Sequence, residues 1–207
     1  MTREEIAERY VLGEREREAL EGFDRLFMET AAHTNLVSRA TLPDRWARHY
    51  ADSLQLWPLV PEGARTLLDV GAGGGFPGIP LAILARDRRP GLRLVLADSV
   101  GKKVRFLAEV VQALGLANTT ATNARVEMLS GPFDVITARA VTALPRLLDL
   151  CVPRLAPGGA LILPKGARAE EELREASRDW RLKTNRVDSE TDEDATILVI
   201  TKPERLR

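Results

Sequence analysis

The chain has 207 residues, 44% of them hydrophobic and 29% charged, which suits one α/β domain with an added segment. Its 30 Lys and Arg balance its 30 Asp and Glu, so overall charge does not indicate nucleic-acid binding, although a basic face can coexist with an acidic back. A lone cysteine, Cys151, excludes an internal disulfide framework and a thiolate metal cluster, and we expect no metal. No apolar run could span a bilayer and the charged N-terminus is unlike a signal peptide, so we expect a cytoplasmic protein with no membrane contact.

Residues 1–60 are predicted to form a helical extension that packs on the rest of one domain. From Glu14 to Thr30 the apolar residues share one stripe and the charged residues lie opposite. A second helix is predicted from Leu42 to Trp57, with Pro43 in its first turn, where the missing N–H costs little. A polar loop over residues 33–39 separates these two helices.

Strands and helices alternate over residues 61–207, the predicted core. Strands are expected at seven places, namely 66–70, 92–97, 118–123, 133–137, 160–163, 182–187 and 195–201. Helices are expected at 101–114, 144–155 and 169–180. Alternation predicts a doubly wound sheet, and the acidic turn that joins the last two strands without a helix predicts an antiparallel end. The expected fold is therefore α/β and Rossmann-like, with seven mostly parallel strands.

A glycine-rich loop follows the first predicted strand. Its pattern is Asp69-x-Gly71-x-Gly73-x-Gly75, and a helix is expected to begin near Pro77. Open α/β sheets bind ligands at the carboxyl ends of their strands. Glycine lets the backbone turn sharply there and approach a ligand closely.

Two cofactors fit this loop. Residues 73–78 also match G-x-G-x-x-G, the dinucleotide fingerprint. The carboxylate of Asp69 would repel a pyrophosphate, whereas it suits the sulfonium and ammonium groups of S-adenosylmethionine. Asp98 ends the second strand, where it can accept from the ribose hydroxyls of either cofactor. These residues favour an S-adenosylmethionine-dependent methyltransferase, and an NAD-binding oxidoreductase stays as the alternative.

Residues 69–81 resemble the signature of the glucose-inhibited division protein B family, bacterial methyltransferases of small-subunit ribosomal RNA. The resemblance covers residues 30–166, and its other matching stretches are 35–38, 48–53, 98–107, 124–127, 133–140 and 163–166. It departs at Val37, where the family usually has threonine, and at Gly74, where it has a varied small residue. The first 30 residues and the last strands match weakly.

The resemblance implies methylation of N7 of a guanine in the 530 loop of 16S rRNA, with S-adenosylmethionine as the cofactor. It places Gly71 and Phe76 at the cofactor, Asp98 at the ribose, and Val126 and Glu127 near the adenine. With the glycine loop and neighbouring residues included, the predicted cofactor-binding set is Asp69, Gly71, Gly73, Gly75, Phe76, Asp98, Ser99, Arg125, Val126, Glu127 and Arg139.

The predicted chemistry is an in-line methyl transfer without a general base. Guanine N7 has a lone pair and no proton, so it needs only desolvation and alignment. Residues 138–140 stand where amino-group methyltransferases typically have an Asn/Asp-Pro-Pro-aromatic loop. Carbon methylation of pyrimidines needs a cysteine nucleophile, and Cys151 is expected in the core of a helix.

Arg139 is the candidate catalytic residue, because the resemblance places it beside the cofactor or the guanine. A guanidinium can donate twice to one face of a base or can pair with a phosphate. The alternative is a structural salt bridge with Asp69 or Glu127.

Basic residues gather near the carboxyl ends of the strands, whereas acidic residues are concentrated elsewhere, at 14–29, 170–175 and 188–194. This separation predicts a phosphate-facing rim that binds 16S rRNA or the small ribosomal subunit more weakly as salt rises. The alternative to such a rim is charge scattered over a solvated surface. The sequence favours a packing role for His49 on its helix as strongly as an RNA-binding role. We expect the chain to be a monomer. The alternative functions are a small-molecule methyltransferase and a catalytically silent RNA-binding module. The predicted RNA-binding residues are Arg48, His49, Lys102, Lys103, Arg105 and Lys165.

Overall fold

A single seven-stranded sheet with the order β3-β2-β1-β4-β5-β7-β6 forms the centre of the computed structural model, which describes residues 1–206. The first five strands are parallel, β7 is antiparallel to β5, and β6 is antiparallel to β7. The predicted α/β fold, with its mostly parallel sheet and antiparallel end, is confirmed. The strands are β1 (Thr66–Val70), β2 (Arg93–Asp98), β3 (Thr119–Asn123), β4 (Phe133–Ala138), β5 (Leu155–Lys165), β6 (Trp180–Asp188) and β7 (Thr196–Arg205).

Helices cover both faces of the sheet, as the buried strands of a parallel sheet require. Along β1 the side chains alternate, so Leu67 belongs to the hydrophobic cluster on one face and Leu68 to the cluster on the other. The helices are α1 (Arg3–Arg9), α2 (Glu14–Ala31), α3 (Asp52–Leu54), α4 (Gly78–Arg88), α5 (Gly101–Ala113), α6 (Leu144–Cys151) and α7 (Ala169–Ala176). Among the described residues, no helix is both long and apolar enough to cross a membrane.

The N-terminal helices pack directly on the glycine loop. Phe23 and Phe27 on α2 lie 5.1 Å and 5.3 Å, between ring centroids, from Phe76. Tyr50 is wholly buried, with its ring centroid 5.0 Å from the same ring. The extension therefore shares one hydrophobic cluster with the core, and it forms part of the wall around the loop.

The prediction of one continuous α-helix from Leu42 to Trp57 is wrong. The segment contains a π-helix, Trp46–Ala51, followed by the three residues of α3 and a 3₁₀ turn, Trp57–Leu59. The hydroxyl of Ser53 donates to the backbone carbonyl of His49, and such bonds to the preceding turn bend helices. Single π turns are frequent at functional sites.

Two other predicted helices are too long at their C-terminal ends. Helix α6 ends at Cys151, because Pro153 has no N–H with which to continue it. Strand β5 begins at Leu155, five residues before the predicted start of that strand at residue 160. Helix α7 ends at Ala176, and Trp180 is instead buried at the start of β6.

Candidate active site

The glycine loop has the strained backbone that its sequence predicts. Gly71, Gly73 and Gly75 have φ angles of +68°, +54° and +95°, in the left-handed region that favours glycine. A Cβ atom on Gly71 would lie 2.6 Å from Cγ2 of Val141, and one on Gly75 would lie 2.9 Å from Cζ of Phe23. The first of these contacts closes the loop against the segment after β4, and the second closes it against α2.

Asp69 lies beneath this loop and not in a cleft. Its side chain is wholly buried, with Oδ2 accepting from the N–H of Gly78 at 2.9 Å and Oδ1 accepting from the hydroxyl of Thr137 at 3.1 Å. Burial raises the pKa of this carboxyl to about 7. Both oxygens of this predicted cofactor-binding residue are thus bonded to protein groups, and its contact with the cofactor stays a prediction. The carboxylate fixes the start of α4 against β1 and β4.

A cleft of about 270 Å³ lies at the carboxyl ends of β1 and β2. Asp98 is its central polar group, with Oδ2 accepting from the N–H of Gly73 at 3.0 Å and Oδ1 accepting from the N–H of Val100 at 2.8 Å. Each carboxylate oxygen keeps a second lone pair, so both can still accept from a hydroxyl. The predicted cofactor residues that line this cleft are Gly71, Asp98, Ser99, Arg125, Val126 and Glu127.

A second cleft, of about 480 Å³, lies on the other side of the glycine loop, against the N-terminal extension. Phe76 forms part of its wall, with the ring of His49 stacked at 5.1 Å and the guanidinium of Arg139 5.5 Å from the Phe76 centroid. The predicted site residues along this cleft are Arg48, His49, Gly71, Gly73, Phe76, Lys103 and Arg139.

Arg139 is held by three neighbours from the extension. One nitrogen, Nη1, lies 3.0 Å from both Oδ2 of Asp52 and the carbonyl oxygen of Arg48, and Nη2 lies 3.1 Å from Nδ1 of His49. Since a guanidinium only donates, His49 Nδ1 accepts, and its Nε2 donates to the hydroxyl of Thr41 at 2.9 Å. Burial and the charge of Arg139 lower the pKa of His49 to about 4, so the ring is neutral at pH 7.

The salt-bridge partners predicted for Arg139 are wrong. Asp69 bonds to Gly78 and Thr137 as described above, and Glu127 pairs with Arg146. Asp52 is the true partner, and it also accepts from the hydroxyl of Thr191 at 3.1 Å. Asp52 and Arg139 are 87 residues apart in the chain, so no local pattern in the sequence indicates this pair.

A third cleft, of about 440 Å³, lies at the ends of β4 and β5, next to the loop that joins β6 and β7. Lys165 lies in its wall with only 10% of its side chain exposed, and its Nζ lies 2.8 Å from Oε2 of Glu172. On the opposite side Arg48 pairs with Asp192 at 3.1 Å. Sequence reasoning missed Glu172 and Asp192, because both belong to segments that look like solvated acidic runs.

The predicted RNA-binding residues fall into two groups. Arg48 and Lys165 are paired with carboxylates, and His49 is buried with 6% of its surface exposed. The three basic residues of α5 form no salt bridge within residues 1–206; they are Lys102, Lys103 and Arg105. The expected separation of basic rim from acidic segments is wrong for residues 188–194, which lie against the rim.

Cys151 is wholly buried, and burial raises the pKa of its thiol to about 12. The thiol therefore stays protonated and shielded, as expected for a core residue. Nowhere in the described part of the chain do three or more His, Cys, Asp or Glu side chains converge as a metal site requires.

A sequence model of the family described as rRNA small subunit methyltransferase G matches residues 16–195. The chain belongs to this family. The match confirms the family suggested by residues 69–81, and it extends the resemblance through most of α2 and into the loop between β6 and β7.

Curated relatives agree with this membership, and a solved structure agrees with the fold. A ribosomal RNA small subunit methyltransferase G from Paramagnetospirillum magneticum is 41% identical over 184 residues, covering 88% of this chain and 86% of that protein. The protein of the same name from Acidiphilium cryptum is 41% identical over 189 residues, covering 90% of this chain and 85% of its own. An O-methyltransferase from Bacillus cereus, solved in complex with SAH, has a TM-score of 0.60 at 16% identity, covering 89% of this chain and 91% of its own. At that identity the likeness shows the fold alone, a Rossmann-like methyltransferase fold.

Proposed function

We propose that this chain transfers a methyl group from S-adenosylmethionine to N7 of a guanine in the 530 loop of 16S rRNA. The observation that carries the proposal is the meeting of three clefts around Gly71 and the segment 139–141, in a chain that belongs to a small-subunit rRNA methyltransferase family. Ligands of open α/β sheets bind at this edge.

The residues present fit S-adenosylmethionine. The cleft of about 270 Å³ offers the two oxygens of Asp98 for ribose hydroxyls and the apolar side chain of Val126 for an adenine face. Gly71 keeps this edge of the cleft narrow, since a Cβ there would clash with the side chain of Val141. When bound, S-adenosylmethionine supplies a methyl group on a positively charged sulfur.

The neighbourhood of Arg139 suits an acceptor that has no proton to lose. His49 is neutral, but its Nδ1 already accepts from Arg139 and its Nε2 donates to Thr41. A guanidinium only donates hydrogen bonds, so it does not act as a base. Guanine N7 needs only alignment and exclusion of water, which a rigid arginine and clefts of fixed shape can provide. Carboxylates nearby, such as Asp52, stabilise the positive charge that the methylated ring carries.

Helix α5 is the proposed contact with the RNA backbone. Lys102 and Arg105 are three residues apart, so they lie on one face of the helix, and both are exposed. Lys103 lies on the rim of the 480 Å³ cleft. Unpaired basic groups release counterions when they meet phosphates, and this supplies much of the affinity for nucleic acid. We propose that the chain acts as a monomer on 16S rRNA or the small subunit.

The test combines purified chain, methyl-labelled S-adenosylmethionine and small ribosomal subunits from cells that lack the modification. We expect label at one guanine of 16S rRNA, recovered as N7-methylguanosine after digestion. Label found only in added small molecules would contradict the RNA substrate. Calorimetry showing tight binding of NAD and none of S-adenosylmethionine would contradict the cofactor.

A further inference from the structure

The cleft of about 440 Å³ adjoins the proposed cofactor site, and of the predicted cofactor-binding residues it contains only Arg139. We call it the acceptor cleft. It shares Arg48, Arg139 and Ala140 with the 480 Å³ cleft, and Val141 with the 270 Å³ cleft. A group that enters it therefore reaches the place where the two cofactor-side clefts meet. Its charged residues are Arg48, Asp52, Arg139, Lys165, Glu172 and Asp192.

Glu172 is the best-fixed carboxylate of the acceptor cleft. Its Oε2 accepts from the N–H of Leu144, the first residue of α6, at 2.7 Å, and from Nζ of Lys165 at 2.8 Å. Only 17% of the side chain is exposed. In the part of the chain that the structure describes, its other oxygen, Oε1, accepts no hydrogen bond. The helix cap and the lysine thus hold one oxygen, and the second is available to a ligand.

Asp52 and Asp192 are less available. Asp52 accepts from Arg139, Gln55 and Thr191. Asp192 accepts from Arg48 through Oδ2 and from the N–H of Asp194 through Oδ1. The free acceptor of the cleft is therefore Glu172, and the ammonium of Lys165 is the donor beside it.

A donor and an acceptor side by side match the Watson–Crick edge of guanine. That edge presents O6, which accepts, next to N1–H and the 2-amino group, which donate. Oε1 of Glu172 would accept from both N1–H and the adjacent amino group, while Lys165 donates to O6. Adenine presents an amino group and an unprotonated N1 there, so it would place acceptor against acceptor. N7 is on another edge of guanine and stays free to face the cofactor-side clefts.

We propose that Glu172 and Lys165 recognise the Watson–Crick edge of a single unpaired guanine inserted into the acceptor cleft. This inference rests on the proposed function. Recognition on that edge requires the base to leave its pairing partner, as RNA-binding proteins and base-modifying enzymes commonly require. The cleft of about 440 Å³ has room for one base with its ribose.

The test changes the protein and the base together. Small-subunit RNA is prepared with guanosine or inosine at the methylated position, since inosine lacks only the 2-amino group. We expect inosine to lower kcat/KM of the unchanged protein about tenfold, the size of one good base contact. In Glu172→Gln the same replacement lowers kcat/KM less than about twofold. The amide oxygen stays with the two donors at Leu144 and Lys165, so the NH2 group takes the place of the free oxygen and leaves no acceptor for that amino group.

The matched control is Glu171→Gln, on the same helix but paired with Arg168 outside the cleft. It should keep the full tenfold inosine effect. Affinity for S-adenosylmethionine and the melting temperature, measured on Glu172→Gln, separate base recognition from loss of the cap on α6.

Equal inosine effects in the unchanged protein and in Glu172→Gln would overturn the inference, as would an unchanged protein that does not distinguish the two bases. The latter result does not depend on whether the variant folds. Failure of the proposed function has a different signature, since the unchanged protein would then methylate neither RNA.

Discussion

The cofactor side and the acceptor cleft are built in different ways. The glycine loop is one continuous segment, 69–78, shaped by backbone angles and by backbone N–H groups that donate to Asp69 and Asp98. The acceptor cleft is held by ion pairs between distant segments, such as Arg139 with Asp52, 87 residues apart, and Arg48 with Asp192, 144 residues apart. A local motif thus shapes the proposed cofactor side, whereas the proposed substrate side depends on contacts between distant segments of the fold. Substitutions on the two sides should therefore fail in different ways.

The largest effect is expected at Gly71. Gly71→Ala places a Cβ 2.6 Å from Val141 at a φ of +68°, so the loop must shift. We expect the Kd for S-adenosylmethionine, measured by calorimetry, to rise about a hundredfold, since backbone strain at a site costs 1–3 kcal/mol. Gly63→Ala is the control, because nothing lies within 4 Å of its Cβ. Unchanged affinity in Gly71→Ala would show that the loop does not bind the cofactor.

A smaller loss, on the acceptor side, is expected at Arg139. Arg139→Ala should lower kcat for RNA about thirtyfold, while Kd for S-adenosylmethionine changes less than about threefold. It should also lower the free energy of unfolding by about 3 kcal/mol, because Asp52 is then largely buried without its partner. Adding Asp52→Asn should restore part of the stability and none of the transfer. If the double variant regained activity, Arg139 would be only a structural residue.

Asp69 and His49 should make stability depend on pH with opposite signs. Burial raises the pKa of Asp69 from 3.8 to about 7, so folding takes up a proton and this contribution to stability falls as pH rises through that window. Burial and Arg139 lower the pKa of His49 from 6.5 to about 4, so folding releases a proton and its contribution falls as pH drops through that window.

Denaturant titrations between pH 4 and 7 test these two opposite contributions to the free energy of unfolding. Relative to the unchanged protein, Asp69→Asn should gain stability as pH rises, and His49→Gln should gain stability as pH falls. Parallel pH profiles for all three proteins would contradict both protonation states.

The salt dependence of RNA binding should come largely from the unpaired basic residues of α5. Lys102→Gln together with Arg105→Gln should reduce the slope of log affinity for the RNA against log salt by about 1 to 2, because two unpaired charges leave the interface. Arg181→Gln is the control, since Arg181 pairs with Glu204 on the antiparallel end of the sheet. Equal slopes in the double variant and the control would remove α5 from the RNA contact.

The smallest effect is expected at Cys151. Cys151→Ala should leave kcat within about twofold of the unchanged protein, because burial keeps the thiol protonated and away from every cleft. Its cost should appear in the melting temperature alone, through the small cavity left beside α6. A large loss of kcat with unchanged melting would indicate a covalent role for the thiol.

The α/β fold with its antiparallel end, the glycine loop and the family could all be predicted from the sequence. Each of them depends on local periodicity or on a continuous motif. The sequence did not predict the π-helix from Trp46 to Ala51, next to which the hydroxyl of Ser53 donates to the carbonyl of His49. It also missed the approach of Asp192 to Arg48 and of Glu172 to Lys165. Charged residues in polar runs look alike in a sequence, and only the packing of α7 and of the loop between β6 and β7 separates those that line a cleft from those that face solvent.

The most direct test of the central claim is a mass-spectrometric map of 16S rRNA from cells that lack this chain and from cells complemented with either the unchanged protein or Gly71→Ala. The proposed function predicts N7-methylguanosine at one position of the 530 loop with the unchanged protein, and its loss in the deletion and in Gly71→Ala. An unchanged amount of that nucleoside in the deletion strain would contradict it.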